Sequence, residues 1–200
     1  SLVLDMHIAP IEGYKPFPHL QNIADLENGQ WPKATEEAFG FKLVVRLKET
    51  ASLKRHVLPH SEVVFEFIDY PGEWVTDIPM LSKTYAHWSD SAWAQLSSGP
   101  QQYFASQWKA FVNQFDFEQE PTEQRIQLLV NAYRDYLVEA KANGISLLQP
   151  GSFLLESSDF DWQAFGFTPL PSSITSDVSH PWFKIFDKHF SKFQSGWLTP

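Results

Sequence analysis

The apolar positions of this chain follow two rhythms. In "FKLVVRL" (41–47), Phe41, Leu43, Val45 and Leu47 alternate with Lys42, Val44 and Arg46, the period of two of a half-buried strand. "EVVFEFI" (62–68) predicts a second strand, more apolar on both faces and ending at Asp69. An antiparallel pair is the simplest connection, with a helical turn expected at "SLKRH" between them. The first forty residues keep no period. Residues 9–40 carry four prolines and three glycines and predict a long ordered loop with one short helix near 19–28.

Beyond residue 77 the rhythm becomes helical. Asp77 is an N-cap candidate with Pro79 at a tolerated first position, predicting a helix through Trp88 and Trp93 to about Leu96. "SSGP" ends it, and a helix over about 100–113 follows, with Tyr103, Phe104, Trp108, Phe111 and Val112 largely on one face. In the next helix Ile126, Leu129, Val130, Tyr133, Leu137 and Ala140 keep the 3.6 period, with Thr122 as cap and Gly144 as terminator. Residues 146–175 read as loop, with "QPGSF" a turn. A last helix, about 178–193, carries Trp182, Phe183, Phe186, Phe190 and Phe193 as a stripe. Such stripes serve core packing first and partner binding second.

Composition narrows the classes. A net charge of −9 opposes broad attraction to nucleic acid or anionic lipid, but a local phosphate site needs only a few oriented N–H groups and a cation. With no cysteine there is no disulfide framework, thiolate metal site or Cys nucleophile. No apolar run approaches the roughly 20 residues that cross a bilayer. The start "SLVLDMHIAP" lacks an initiator Met and signal-peptide features; together with the abrupt "SGWLTP" end it suggests an excised piece of a longer protein. His56 and His60 are four apart, but Pro59 spoils a helix between them and no further ligand follows at metal-binding spacing. "SSGP" and "QSGW" do not make a G-x-S-x-G elbow, and Asp159 and Asp161 read as a solvated loop.

The chemistry concentrates in "FEFIDYPGEWVTDIPML" (65–81), where a buried strand ends in Asp69 and glycine follows at 72. An aspartate at the carboxyl end of an α/β strand can hold Mg²⁺ through water, and glycine lets the main chain approach a γ-phosphate. D-x-x-G by itself is short and recurs by chance, and on spacing alone a type II turn centred on Pro-Gly is the first reading.

The longer string is more specific. "DYPGEW" followed by "DIPML", "WPKAT" (31–35), "FKLVVRLKETASLKRH" (41–56) and "DYLVEAKANGISLLQPGSFLL" (135–155) stand in one order. Together they resemble the YcjX-like family of predicted P-loop GTP-binding stress proteins over about residues 31–155, and more loosely to 193. The resemblance implies an α/β P-loop NTPase fragment, a short strand pair with switch segments, in residues 1–83, and a mainly α-helical insertion domain in 84–200. It implies that Asp69 is the Mg²⁺-associated aspartate, Gly72 the γ-phosphate-sensing glycine and Thr35 the switch threonine that closes over Mg²⁺ and γ-phosphate. Glu73 falls where many GTPases carry a water-orienting glutamine; the family motif has Glu there, although a carboxylate beside a γ-phosphate is electrostatically costly.

The implied cofactor is Mg²⁺ with GTP, and the implied setting is cytoplasmic or peripheral to the inner membrane, beside a stress-linked inner-membrane partner. G-x-x-x-x-G-K-[ST] and an [NT]-K-x-D guanine-reading motif are both absent from this sequence. The expectation is therefore a chain that is inactive alone and belongs to an intact GTPase. The alternatives are a non-catalytic α-helical interaction module, or an ATP-specific NTPase.

Overall fold

A computed structural model describes residues 2–32, 35, 37–48, 60–155 and 162–198. Within it the chain divides into two compact units, Ser1–Gly72 and Glu73–Pro200. The segment from Glu73 to residue 83, expected with the first domain, belongs to the second unit. The secondary structure is α/β in the first unit and helical in the second.

The first unit is a four-stranded sheet, β1 (Val3–Pro10), β2 (Lys15–Pro16), β3 (Phe39–Lys48) and β4 (His60–Asp69), with one helix, α1 (His19–Glu27). β3 is central. β4 runs antiparallel along its full length, from Phe39 opposite Asp69 to Lys48 opposite His60. β1 runs antiparallel on its other side, and β2 adds a short parallel pairing at Phe39 and Gly40. The expected strand pair is present, and the "SLKRH" turn lies outside the described residues.

The short helix expected near 19–28 is α1, within a segment that is otherwise mostly irregular, but Val3–Pro10 ahead of it form the strand β1. Its Leu4, Met6 and Ile8 do alternate with Asp5 and His7, but the strand it pairs with is β3, more than thirty residues on. Register sorts the sheet into two faces. Lys42–Glu66 and Arg46–Glu62 are directly opposed pairs, at 2.8 and 2.7 Å, on the polar face. The other face carries Met6, Ile8, Phe41, Val45, Phe65 and Phe67, with Phe41 and Phe67 stacked at 4.9 Å. Val45 is buried there, whereas Ile8, Met6 and Phe65 remain exposed.

The second unit holds α2 (Gly72–Asp77, its first residue closing the other unit), α3 (Tyr85–Gln95), α4 (Gln101–Phe104), α5 (Ser106–Gln114), α6 (Glu123–Ala142), α7 (Ser172–Thr175) and α8 (Pro181–Phe193). Two expected helices are broken. α2 ends at Asp77, and the 77–96 segment continues as a 3₁₀ turn at Ile78–Ser82 and then α3, whose N-cap is Thr84, accepting from the His87 amide. Asp77 caps nothing; it is buried and bonded elsewhere. The 100–113 segment splits into α4 and α5 at Ala105. The loop expected over 146–175 contains 3₁₀ turns at Gly151–Leu154 and Trp162–Phe165, and α7.

α6 matches its pattern: Thr122 accepts from the Arg125 amide, every periodic apolar residue is buried, and Gly144 ends the turn at φ 87°. α8 buries its whole stripe, from Trp182 to Phe193. This core is aromatic, with Trp88 edge-on to Tyr133 and Phe167, and Phe190 against Tyr85. Buried hydroxyls find acceptors: Tyr85 donates to the Thr168 carbonyl and Tyr133 to that of Gln149, each at 2.7 Å. Burial pushes both phenols well above their ordinary range. The 103–111 stripe divides, with Trp108 and Val112 inside and Tyr103 73 % exposed.

Candidate functional site

Pairing with β3 carries β4 to its last residue and leaves the Asp69 carboxylate at the strand's carboxyl end, opposite Phe39. Thr35 comes to the same place: its hydroxyl donates to Asp69 Oδ2 at 2.9 Å. Sequence reasoning paired these two only through the family motif, and the fold brings them into direct contact. They line a cleft of about 700 Å³ with Phe17, Asn22, Trp31 and Phe39. Trp31 is 89 % exposed beside it. Below the corner, Tyr70 and Tyr14 share a hydrogen bond of 3.2 Å, which with burial raises the Tyr70 phenol.

Gly72 follows three residues after Asp69 and is exposed. It does not take positive φ, so the type II turn read from Pro-Gly does not form, and the residue opens α2 instead. A Cβ built there would meet nothing within 4 Å. Neither backbone conformation nor packing demands glycine at 72.

Glu73 lies in the second unit and its carboxylate is taken by Lys141 of α6, at 2.5 Å. Among the described residues no three His, Asp or Glu side chains converge as a metal cluster. His60 begins β4, while His56, Asp159 and Asp161 lie outside the described residues. Thr35 and Asp69 nevertheless present two hard oxygen donors 2.9 Å apart. Mg²⁺ suits such a set, since it takes one or two protein oxygens and completes its shell with phosphate and water.

The family model of the YcjX-like family, DUF463, matches residues 4–200. This chain belongs to that family. Among curated relatives, "Ras-like GTPase YcjX" of Escherichia coli (strain K12) is 31 % identical over 161 residues, 80 % of this chain and 34 % of the relative. "Ras-like GTPase YcjX" of Shewanella oneidensis is 22 % identical over 181 residues, 85 % of this chain and 37 % of the relative. The chain thus spans about a third of the length of these YcjX proteins. No helix among the described residues is long and apolar enough to cross a membrane.

Family motifs beyond the corner acquire a structural role. In "QPGSF" the main-chain amides of Gly151 and Ser152 donate to Asp77 at 2.6 and 2.9 Å, and the Ser152 hydroxyl adds a third bond at 2.6 Å. Desolvation pushes the Asp77 carboxyl up to about 6, against the downward pull of these donors. Ser152 Oγ also accepts from Trp197 Nε1 at 2.9 Å. Sequence reasoning missed Lys141, Gly151 and Ser152. The available signal was the quoted family block itself, "DYLVEAKANGISLLQPGSFLL", which contains all three.

Proposed function

We propose that this chain is the switch and helical-insert portion of a GTP-binding protein with an α/β P-loop NTPase fold. In this reading Thr35, Asp69 and Gly72 sense Mg²⁺ and γ-phosphate, and the intact protein hydrolyses GTP. The observation that carries it is the Thr35–Asp69 hydrogen bond at the end of β4, just ahead of the exposed Gly72. Support also comes from the relatives, both named Ras-like GTPase.

Thr35 would hold Mg²⁺ through its hydroxyl, and Asp69 through a water molecule. When bound, that ion neutralises charge on the β- and γ-phosphates. Gly72 needs no φ that only glycine adopts and packs against nothing. Its value is then that a phosphate oxygen can reach the main-chain N–H without meeting a Cβ. Glu73, already paired with Lys141, holds the corner rather than orienting water. The phosphate-cradling loop and its lysine, which this sequence lacks, supply most of the nucleotide affinity.

A fluorescent-GTP titration with Mg²⁺, on this chain and on a longer chain carrying the upstream segment, tests the reading. Binding by the longer chain alone is expected, with Asp69→Ala removing its Mg²⁺ dependence. Equal competition by ATP would replace the GTP assignment with a broader NTPase. If neither chain binds but both fold, the nucleotide reading fails. The exposed Tyr103 on α4 then favours the helical interaction module.

A further inference from the structure

We propose that residues 73–77 are a lever fixed to the helical unit, with Lys141, Gly151 and Ser152 as positioning residues that hold the main chain immediately after Gly72. The purpose of the lever rests on the nucleotide-switch reading above; its geometry does not.

Six residues are too few for a stable helix, since nucleation is costly and isolated helices shorter than about 12–15 residues are marginal. α2 therefore owes its shape to what holds it, and three attachments do so within the second unit. At its start, the Glu73 carboxylate is held by the Lys141 ammonium on α6. In its middle, the Thr76 hydroxyl lies within hydrogen-bond reach of the Glu73 and Leu148 carbonyls, at 2.8 and 3.0 Å. The Thr76 carbonyl in turn accepts from Gln149 Nε2 at 2.5 Å. At its end, the buried Asp77 takes three donors from Gly151 and Ser152.

Gly151 explains how the parts come so close. A Cβ there would stand 2.3 Å from Thr76 Oγ1 and 2.4 Å from the Glu73 carbonyl oxygen. Its φ is not positive, so the demand is for space alone. The glycine lets the Q-P-G-S turn lie directly against α2. Trp74, edge-on to Trp197 at 4.8 Å, adds an apolar contact, and Trp197 also donates to Ser152.

The consequence concerns how a switch moves. Many switch segments order on γ-phosphate contacts and melt on hydrolysis. Melting 73–77 would strip a buried carboxylate of its three donors, which is costly. A main-chain displacement at Gly72 is therefore passed to α6 and the Q-P-G-S turn as a unit, rather than absorbed by the segment that follows the glycine.

Amide hydrogen exchange on this chain decides the geometry. Amides of 74–77 should match the centre of α6 within about tenfold in protection. Loop-like exchange there, with α6 still protected, would overturn the lever. Lys141→Met should speed exchange of 73–77 by about two- to fivefold without changing α6, and Lys141→Arg should restore it. If Lys141→Met leaves 73–77 unchanged, Lys141 is no positioning residue.

The longer chain then tests the purpose, with Mg²⁺ and a non-hydrolysable GTP analogue against GDP. Protection in the helical unit should change between the two, and Lys141→Met should keep nucleotide binding but lose that change. Binding without any change in the helical unit overturns the lever. Absence of binding overturns the nucleotide reading, while the exchange pattern of the shorter chain still stands for or against the lever.

Discussion

Asp77 shows how one buried carboxyl ties stability to pH. Its folded carboxyl is pushed up to about 6, whereas an unfolded aspartate titrates near 3.9. The folded chain thus binds this proton more tightly than the unfolded chain does. Stability from this group is fully present below about pH 4, falls as pH rises toward about 6, and is level above that. Relative to Asp77→Asn, the parent should lose on the order of 3 kcal/mol between pH 4 and 7, measured by urea unfolding at each pH. A pH-independent difference would show that the carboxyl does not titrate in this way.

Two glycines give opposite expectations. Gly151→Ala forces a methyl into Thr76 and the Glu73 carbonyl and should cost about 1–3 kcal/mol in the same assay. Gly72→Ala, with open space around it, should change the stability of this chain by less than about 0.5 kcal/mol. In the longer chain the same Gly72→Ala change should abolish the response to γ-phosphate. A large stability loss at Gly72 would return that glycine to a purely structural role.

At the scale of elements, α8 carries the helical unit. Phe186 and Phe190 are buried to within one per cent, and each contacts Tyr85. Phe186→Ala should cost about 3–5 kcal/mol, read as a lowered urea midpoint, because the surrounding rings cannot collapse into the space. A loss below about 1 kcal/mol would mean a loosely packed stripe. α6 and α8 were legible because amphipathic periodicity and capping are local: Thr122, Gly144 and the aromatic spacing need no knowledge of a partner. The 77–96 segment was not. Asp77 and Pro79 imitate a helix start, but distant amides had a stronger claim on the carboxylate than the helix that follows.

At the scale of the molecule, the two units are unequally built. Among the described residues of Ser1–Gly72 the buried apolar side chains are Val45 and Pro71, while the remaining apolar core lies between Met80 and Phe193. Burial of apolar surface is the main favourable term in folding, so the sheet unit should unfold first. Trp31 is the only tryptophan before residue 73, so tryptophan fluorescence mainly reports the helical unit. On heating, the infrared amide band of the strands should be lost before the fluorescence changes. Coincident transitions would show one cooperative molecule instead.

The sequence by itself determined the strand pair ending at Asp69, the capped helix α6, the aromatic stripe of α8 and membership of the YcjX-like family. Each rests on residues close in the chain, or on motifs read in order. Only the tertiary structure decided that β1 joins the sheet, that Lys141 takes Glu73, and that Asp77 is a buried acceptor rather than a cap. Those outcomes depend on partners far along the chain, 68 residues apart for Glu73 and Lys141 and 74 for Asp77 and Gly151. No local rhythm specifies which distant donor a carboxylate will meet; close packing and the need to satisfy buried polar groups select it.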